Sequence, residues 1–418
     1  MDLASYRRVL GVPGVPRLLL LGAAVRVPMF AGLLVLTLHV TGPLQGSYAQ
    51  AGVAGFVVTA AMAAGAPWRG RVLDRVGLRR TLNPSLVVMT VGWAAAPFVD
   101  YLPMLVLVGL AGLLNAPVMA VIRQAILTLT PAPMRRGALA MDSLSIELSF
   151  MIGPLAGVWA ATRWPTGWVL LGVQMLLVLG VAAVWLLDPP MRSDTPADQD
   201  SPPRVTPARS RPGRLPAAAV VACVIAAAAT LVLTGTELGL VAGLREAGHP
   251  EHLGWVMSIW GLGSAVGGLV YGALPRPLPA GLLLVALAAV TAPLAWAGTI
   301  WTISLLCLIA GLLCAPTLIA TLDQLSQVAP EDSRGEALGW HSSFLTAGSA
   351  AGGPVAGIAI DAGGSARGFL LVAALGMLVG AVSLGSGSLT RHRAWRRRRR
   401  RVPDRADAPD PAGAITRR

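Results

Sequence analysis

Twelve apolar segments of roughly twenty residues follow one another along this chain of 418 residues. A helix of that length crosses the ~30 Å hydrocarbon core of a bilayer and satisfies its own backbone polar groups without water. Only 13% of the residues are charged, about half the share that a soluble domain carries. The sequence therefore predicts an all-α membrane protein. Its spans 1 to 12 are expected at 17–41, 48–68, 82–99, 102–124, 137–161, 166–187, 216–240, 253–274, 278–298, 300–324, 337–361 and 367–388.

Arginine marks one side of these spans. The chain carries 33 basic residues, and none of them is lysine. They gather near the amino terminus, in the loops at 69–80, 135–136 and 192–214, and in residues 391–401. These arginine-rich segments alternate along the chain with loops that hold few charges. By the positive-inside rule, this pattern predicts a multi-pass protein of the cell membrane with both termini in the cytoplasm. The first apolar run is too long for a cleaved signal peptide and is expected to remain as span 1.

The chain divides at a segment that cannot bury a core. Residues 191–215 are rich in Pro, Ser, Arg and Asp, a composition typical of a flexible linker. We therefore expect a six-helix bundle at 1–190, a cytoplasmic linker at 191–215, a second six-helix bundle at 216–390 and a disordered basic tail at 391–418. Because the tail directly follows the last span, its arginines are expected to bind anionic lipid headgroups rather than nucleic acid.

The two bundles share a sequence repeat. Residues 112–117 (GLLNAP) return as 311–316 (GLLCAP), so that span 4 matches span 10. Residues 153–157 (GPLAG) return as 353–357 (GPVAG), so that span 5 matches span 11. Two copies in the same orientation are typical of transporters built as parallel repeats, in which a substrate cavity lies between the halves.

The loop between spans 2 and 3 carries a dense polar motif. It reads GRVLDRVGLRR from residue 70 to residue 80 and resembles the corresponding loop of major facilitator superfamily transporters. The resemblance implies twelve helices in two pseudo-symmetric six-helix bundles. It also implies that an acid of the loop caps a neighbouring helix and pairs with arginine, as a lock tied to one access state. The matching gating residues are Gly70, Asp74, Arg75, Gly77, Arg79 and Arg80.

Roles within this motif follow from the resemblance residue by residue. Asp74 would be the capping acid, which is physically sound because a carboxylate at a helix amino terminus gains from the helix dipole and from charge-assisted hydrogen bonds. Arg75 and Arg79 would be its partners, and Gly70 a position of close packing. The alternative is that the arginines of this loop only enforce topology.

Spans 5 and 11 each contain a glycine and proline element. In span 5 it resembles the signature in the fifth helix of superfamily exporters, which implies a helix that packs closely and bends easily. The alternative is packing alone, copied into span 11 by the duplication. The residues concerned are Gly153, Pro154, Gly157, Gly353, Pro354 and Gly357.

Two ionisable residues lie near the midplane of their spans. Arg26 lies roughly 13 Å into span 1, and Glu147 roughly 15 Å into span 5, at ~1.5 Å per residue. Charged groups at that depth are costly and mark functional positions by default. Because spans 1 and 5 are neighbours in the superfamily fold, we expect both residues to face the cavity and to form a pair or a charged substrate site. An unpaired Glu147 could carry a proton, and a static salt bridge is the alternative.

Other polar and aromatic residues within the spans are further candidates. Asn115 on span 4 and Trp260 on span 8 are assigned to the substrate or proton site, although an amide can simply bridge helices and an indole can simply pack. Gln174 on span 6 is a weaker candidate. Asp142, near the cytoplasmic end of span 5, and Glu237, near the outer end of span 7, are expected at a gate or an interface.

The sequence has none of the constellations of an enzyme. It lacks a phosphate-binding loop, a nucleotide-binding cassette and metal-ligand spacing, so no cofactor or metal is expected. The resemblance favours a monomeric secondary transporter that exports a small organic compound in exchange for protons by alternating access. One alternative is a proton-coupled importer of a nutrient or organic anion held by Arg26. Another is a membrane sensor or scaffold that transports nothing.

Overall fold

The computed structural model describes residues 3–131, 134–189, 216–274, 278–328 and 334–399, and no strand occurs in them. A short helix, Leu3–Leu10, precedes the spans. The helices of spans 1 to 6 are Val15–Thr41, Tyr48–Val76, Leu78–Ala95, Tyr101–Leu113 with Val118–Leu129, Arg135–Ala161 and Thr166–Leu187. Those of spans 7 to 12 are Ala217–Glu246, Leu253–Ala273, Ala280–Thr291, Ile300–Val328 and Arg334–Arg399, the last of which contains both spans 11 and 12. Short 3-10 helices lie at Ala96–Phe98, Pro250–His252 and Ala292–Trp296.

The predicted all-α membrane fold is confirmed. Among the described residues, nine helices are long and apolar enough to cross a membrane. One of them, Glu336–Gly385, holds spans 11 and 12, while the less apolar Leu78–Ala95 and the shorter Ala280–Trp296 supply spans 3 and 9. These helices together agree with the twelve predicted spans. Large apolar side chains such as Leu20 and Leu102 are exposed on the outside of the bundle, as a hydrocarbon surrounding requires.

Local sequence explains where several helices begin and end. Ser47 and Gln50 form a capping box at the start of span 2, where each side chain accepts a hydrogen bond from the backbone N–H of the other. Gly77 has φ 81°, a conformation that residues with a side chain rarely adopt, and this allows span 3 to begin directly after span 2. Gly364, with φ 82°, separates span 11 from span 12 in a comparable way.

The last helix continues to Arg399, so the first part of the segment predicted to be a disordered tail is helical. Arginine and alanine both favour helix, and the first proline of the tail comes later, at Pro403. Residues 400–418 and the predicted linker at 191–215 lie outside the residues that the structure describes.

The two halves of the chain meet along two pairs of helices. Within the halves, span 1 packs against spans 5 and 6, and span 7 packs against the helix of spans 11 and 12. Between the halves, span 2 contacts span 11 and span 5 contacts span 8. Glycine allows both approaches, because a methyl group on Gly52 would overlap the backbone of Gly353, and one on Gly254 would lie 2.9 Å from the Cα atom of Leu155.

Hydrogen bonds join the halves at one end of these pairs, which we call the outer side because the loop between spans 1 and 2 lies there. The opposite end, where span 6 finishes and span 7 begins, is the linker side. At the outer side Asp361 Oδ1 accepts from Tyr48 N at 2.9 Å, and Oδ2 accepts from Ala49 N at 2.8 Å. Arg245 donates to the carbonyl of Thr41 at 2.9 Å. These five residues form what we call the outer latch, which holds the halves together on that side.

Candidate functional site

A cavity of about 370 Å³ lies between the two halves on the membrane-centre side of the outer latch. Spans 1 to 8 and span 11 all contribute to its wall, and its volume is within the range of small-molecule pockets, ~300–1,000 Å³. Most of the wall is aliphatic. The aromatic side chains in it are Phe30, Phe56, Trp93 and Phe150. The polar ones are Thr37, Thr59, Asn115, Gln174, Thr234, Glu237 and Ser349.

Glu237 is the one ionisable side chain in the part of the cavity wall that the structure describes. Within that part of the chain, its carboxylate has no hydrogen-bond or ion-pair partner. We expected Glu237 at a gate or an interface because it lies near the outer end of span 7. The structure places it in the cavity instead, because the closed outer latch leaves the cavity in the outer half of the bundle. Glu237 is therefore a central residue of the site.

Gln174 of span 6 is the second notable polar residue of the wall. Its side chain is 4% exposed, and its Oε1 atom is buried without a hydrogen-bond partner. The amide reaches span 1 because residue 32 is glycine: a Cβ atom there would lie 2.5 Å from Nε2 of Gln174. Burying an unpaired amide oxygen is unfavourable, so Gln174, a residue of the cavity wall, has an unused acceptor.

Arg26 does not face the cavity, and the predicted pairing with Glu147 is wrong. The Arg26 guanidinium is 1% exposed and pairs at 2.5 Å with Asp142, which is fully buried. Arg26 also donates to Ser145 Oγ at 3.3 Å, and Arg123 holds the other oxygen of Asp142 at 3.1 Å. The three charged residues form a buried cluster among spans 1, 4 and 5.

Helix geometry explains why Asp142 rather than Glu147 meets Arg26. Gly153, which packs against the Val27 carbonyl of span 1, is eleven residues from Asp142 and lies at about the same angle around span 5. Glu147 is turned away from that face by about 140°. It shares its angle with Met151, whose carbonyl accepts a hydrogen bond at 3.0 Å from Ser258 of span 8. Glu147 therefore lies on the face of span 5 that turns toward the second half.

Glu147 is a second unpaired acid within the spans. Glu147 has no hydrogen-bond or ion-pair partner among the described residues, and it is absent from the cavity wall. Its face of span 5 turns toward the second half, and Glu237 lines the cavity from span 7. One carboxylate from each half thus faces the space between the halves.

Asn115 lies in the cavity wall, as expected, at a break in span 4. The helix stops at Leu113 and restarts at Val118. Arg69, a buried residue near the end of span 2, donates to the freed carbonyl of Leu114 at 2.5 Å and also contacts Ser85 of span 3. We overlooked Arg69 because it lies beside the exposed arginines of the following loop. The matching segment of span 10 has no such break, since Ile300–Val328 is continuous.

Trp260 is not part of the cavity wall, so its assignment to the substrate site is wrong. The indole is buried in the second half, where its Cδ1 atom would lie 3.0 Å from a Cβ atom on Gly311 of span 10. The missing side chain of Gly311 leaves room that the indole fills. Met257, one turn earlier on span 8, faces the cavity in its place.

Two positions of the loop between spans 2 and 3, Gly70 and Arg79, depart from what the resemblance implies. Gly70 is not a close-packing position, because nothing lies within 4 Å of a Cβ atom placed there. Arg79 pairs with Asp188 at the end of span 6 at 3.2 Å and lies over the Trp185 ring. Arg75 and Arg80 are exposed, and the Asp74 side chain lies outside what the structure describes. Arg79 is thus occupied within its own half.

The glycine and proline elements lie at helix contacts. Gly153 and Gly157 pack on span 1, while Gly353 and Gly357 pack on Gly52 and on the Tyr48 backbone of span 2. Pro154 lines the cavity. The helices are continuous through both Pro154 and Pro354, so close packing is the role that the structure supports, and the predicted bending role stays a prediction.

One cluster of side chains with metal-binding atoms lies outside the cavity. His249, Glu251 and His252, in the loop after span 7, have ligand atoms within 4.8 Å of one another. All three are largely exposed, and both histidines contact Glu251, at 3.4 and 3.7 Å. The three residues fall within four consecutive positions, 249–252, a clustering that the sequence-based predictions did not single out.

Comparisons with known proteins agree with this architecture. The family model for the Major Facilitator Superfamily matches residues 18–274 and 244–416. A search of curated protein sequences finds no match. Among solved structures, the chain is similar to a point mutant of the nucleoside transporter NupG, with 14% identity, a TM-score of 0.69 and coverage of 89% of this chain and 99% of that one.

Two further structures are similar over most of their length. One is a bacterial homolog of the human lysosomal transporter Spinster, with 13% identity, a TM-score of 0.64 and coverage of 92% and 99% of the two chains. The other is a POT family transporter in complex with a thioalcohol conjugated peptide, with 13% identity, a TM-score of 0.65 and coverage of 90% and 96%. At these identities the likeness concerns the fold. With the family model covering nearly the whole chain, the protein belongs to the Major Facilitator Superfamily and is a membrane transporter rather than an enzyme.

Proposed function

We propose that this protein is a secondary active transporter that exports a small organic compound from the cytoplasm in exchange for protons. The observation that carries the proposal is the cavity between the halves, closed on the outer side by the outer latch. A few hydrogen bonds and glycine contacts hold that closure, so rocking of the halves can break it. We take the linker side to be cytoplasmic, from the arginine distribution, and the molecule to be open toward it.

Glu237 and Glu147 support proton coupling. Each is an acid within a membrane span, and neither has a hydrogen-bond or ion-pair partner among the described residues. An unpaired carboxylate in the membrane is costly unless it binds a cation or a proton. Because one acid belongs to each half and each faces the other half or the cavity between them, movement of the halves would change the surroundings of both. In the proposed cycle they carry the protons that drive export.

The importer of an organic anion loses its main support. That alternative required Arg26 to bind the anion, but Arg26 is buried against Asp142. The described cavity wall offers no other basic side chain. For the scaffold alternative, the linker and most of the tail lie outside the described residues. We retain the tail as a proposed contact with anionic lipid and the cell membrane as the proposed location, with the protein acting as a monomer.

Neutralising the two unpaired acids tests proton coupling. We expect Glu237→Gln and Glu147→Gln to abolish the response of transport to a pH gradient, because the amide cannot take up a proton. An efflux-deficient bacterial host expressing the protein is screened with toxic small molecules. Transport of a compound against which the protein protects is then measured in inverted membrane vesicles with and without a pH gradient.

The matched control is Glu251→Gln, which neutralises an exposed carboxylate in the loop after span 7. It should behave as the unaltered protein does. If both span variants keep the full response to the gradient, the proton role of these acids is wrong. Accumulation of a compound in the host, in place of protection, would reverse the proposed direction of transport.

Enlarging Gly52 tests alternating access. We expect Gly52→Ala to hold the protein open on the outer side, because the new methyl group would overlap the Gly353 backbone, which cannot move aside while the halves are closed. The distance between spin labels at Trp164 and Trp296, exposed positions on the outer side of the two halves, should lengthen. Gly172→Ala, where a Cβ atom meets nothing within 4 Å, is the control. An unchanged distance in Gly52→Ala would mean that the outer side closes in some other way.

A further inference from the structure

We infer that the substrate is an amphipathic organic monocation whose charged group is a protonated primary or secondary amine, held between Glu237 and Gln174. This inference rests on the proposed function and names the class of compound that the cavity takes. Glu237 belongs to the second half and Gln174 to the first, so a bound amine would contact both halves.

Charge is the first requirement that the cavity sets. Glu237 is the one ionisable group of the described wall and has no partner there. The arginines of the first half are not available to a substrate anion, since Arg26 and Arg123 both bind Asp142. A carboxylate or phosphate in this cavity would meet a like charge and no counter-ion, whereas a cation would neutralise Glu237 in a medium of low dielectric constant.

The hydrogen-bond donor is the second requirement. Gln174 presents an Oε1 atom that is buried and has no partner, and an amide oxygen can only accept. Gly32 fixes where this amide lies, because the Nε2 end occupies the space of a missing Cβ atom. A primary or secondary ammonium offers N–H donors to both Glu237 and Gln174. A quaternary ammonium has the charge but no donor, so it leaves Gln174 unsatisfied.

An apolar body of modest size is the third requirement. The rest of the wall is mainly aliphatic and aromatic, and two of its rings, Phe30 and Phe150, contact each other edge to face with centroids 5.4 Å apart. The free volume of about 370 Å³ holds one aromatic ring with a short chain. A small polar cation such as a simple amino sugar would not fill the apolar wall, and burial of the hydrocarbon would contribute nothing to its binding.

Four compounds that share one carbon skeleton test these requirements. Phenylbutylamine, its trimethylammonium analogue, phenylbutanol and phenylbutanoate are titrated into the purified full-length protein in lipid nanodiscs at neutral pH, with binding followed by calorimetry. We expect affinity to fall in the order amine, trimethylammonium, alcohol, with no measurable binding of the carboxylate. A charge-assisted hydrogen bond makes a difference of about 10- to 100-fold between amine and alcohol.

Three variants test whether Glu237 and Gln174 cause the expected order of affinities. Glu237→Gln should remove the preference for amine over alcohol. Gln174→Leu should weaken the amine about 10-fold and leave the trimethylammonium compound unchanged. Gly32→Ala should reproduce the Gln174→Leu pattern, because the new methyl group displaces the amide without deleting it. A monodisperse elution profile and unchanged thermal unfolding show that each variant is folded.

The inference is overturned if the carboxylate binds as well as the amine, if folded Glu237→Gln keeps the amine preference, or if none of the four compounds binds at millimolar concentration. Equal binding of amine and trimethylammonium compounds would overturn the role of Gln174. Binding is measured at equilibrium without a pH gradient, so these results are independent of whether the protein moves protons or opens its outer side. Failure of the proposed function would appear instead in the vesicle and spin-label experiments.

Discussion

Replacement of Asp142 with leucine is expected to lower the free energy of unfolding by about 3–5 kcal/mol, because it removes one partner of a buried ion pair. Arg26 would be left charged at a position that is 1% exposed, with only Ser145 and the Met119 sulfur beside it. Arg123 could not take the place of Asp142, since it carries the same charge as Arg26 and loses its own partner in this variant. Thermal and denaturant unfolding of the purified protein in lipid nanodiscs would measure the loss.

The double variant Arg26→Met with Asp142→Leu tests whether the loss of stability comes from the unpaired Arg26 charge or from the absence of the ion pair. Apolar residues of similar volume often replace a buried ion pair without loss of stability, so we expect the double variant to recover most of what Asp142→Leu loses. Arg123→Met is the comparison, because that side chain is 51% exposed, so water screens its charge and we expect a smaller loss than in Asp142→Leu. Equal losses in Asp142→Leu and in the double variant would show that Arg26 is not stabilised by Asp142.

The same variants decide what the cluster does in transport. In the present conformation Arg26, Asp142 and Arg123 join spans 1, 4 and 5, which all belong to the first half. A bond inside one rigid half does not need to break when the halves rock. We therefore expect the double variant, once folded, to transport with its proton dependence intact. The cluster would then be a static brace, as the salt-bridge alternative for Arg26 proposed with a different acid.

The positions of the spans could be predicted from the sequence because the bilayer constrains each helix separately. Each span must hide its own backbone groups in about twenty apolar residues, and that requirement depends on no partner helix. The predicted span 6 at 166–187 coincides with Thr166–Leu187 of the structure. The break in span 4 was not predicted, because the same sequence pattern in span 10 forms a continuous helix. The freed carbonyl of Leu114 is bound by Arg69 of span 2, and a partner so distant in the sequence cannot be recognised from the local pattern of span 4.

The contacts of the site could not be predicted, because they depend on how each helix is rotated. Arg26 was correctly recognised as a deeply placed charge, but its partner is set by the angle of span 5, which turns Asp142 toward span 1 and Glu147 away from it. Glu237 was placed at the correct end of span 7. Glu237 lines the cavity because the molecule is closed on the outer side. Which side is closed is a property of the conformation and not of a sequence pattern.

The gating loop illustrates the same dependence on conformation. Its motif implies a lock on the linker side, yet here Gly70 has open space and Arg79 binds Asp188. In the proposed cycle a lock on the linker side belongs to the state in which that side is closed. The present state is closed on the outer side, where Asp361 of span 11 caps the start of span 2. Asp361 was not predicted as a site residue, because it lies at the end of its span, among small residues.

Replacement of Asp361 with alanine is expected to open the outer side. The carboxylate accepts hydrogen bonds from Tyr48 N and Ala49 N at 2.9 and 2.8 Å, and it lies at the amino terminus of span 2, where the helix dipole favours negative charge. A hydrogen bond to a charged group contributes about 1.5–3 kcal/mol. Loss of the equivalent of one such bond would raise the ratio of outer-open to outer-closed molecules by about 10- to 100-fold.

Spin labels at Trp164 and Trp296 measure that ratio directly, as a second population at longer distance. Asp361→Asn keeps one acceptor oxygen but loses the charge, so it should give an intermediate ratio. Glu251→Gln removes a charge on the same side but outside the outer latch, so it should leave the ratio unchanged. Arg245→Ala should act in the same direction as Asp361→Ala but more weakly, because it breaks one hydrogen bond to Thr41 rather than two. If the distance distribution of Asp361→Ala matches that of the unaltered protein, glycine packing between spans 2 and 11 must hold the outer side closed without the carboxylate. The Gly52→Ala variant would then be the stronger of the two perturbations.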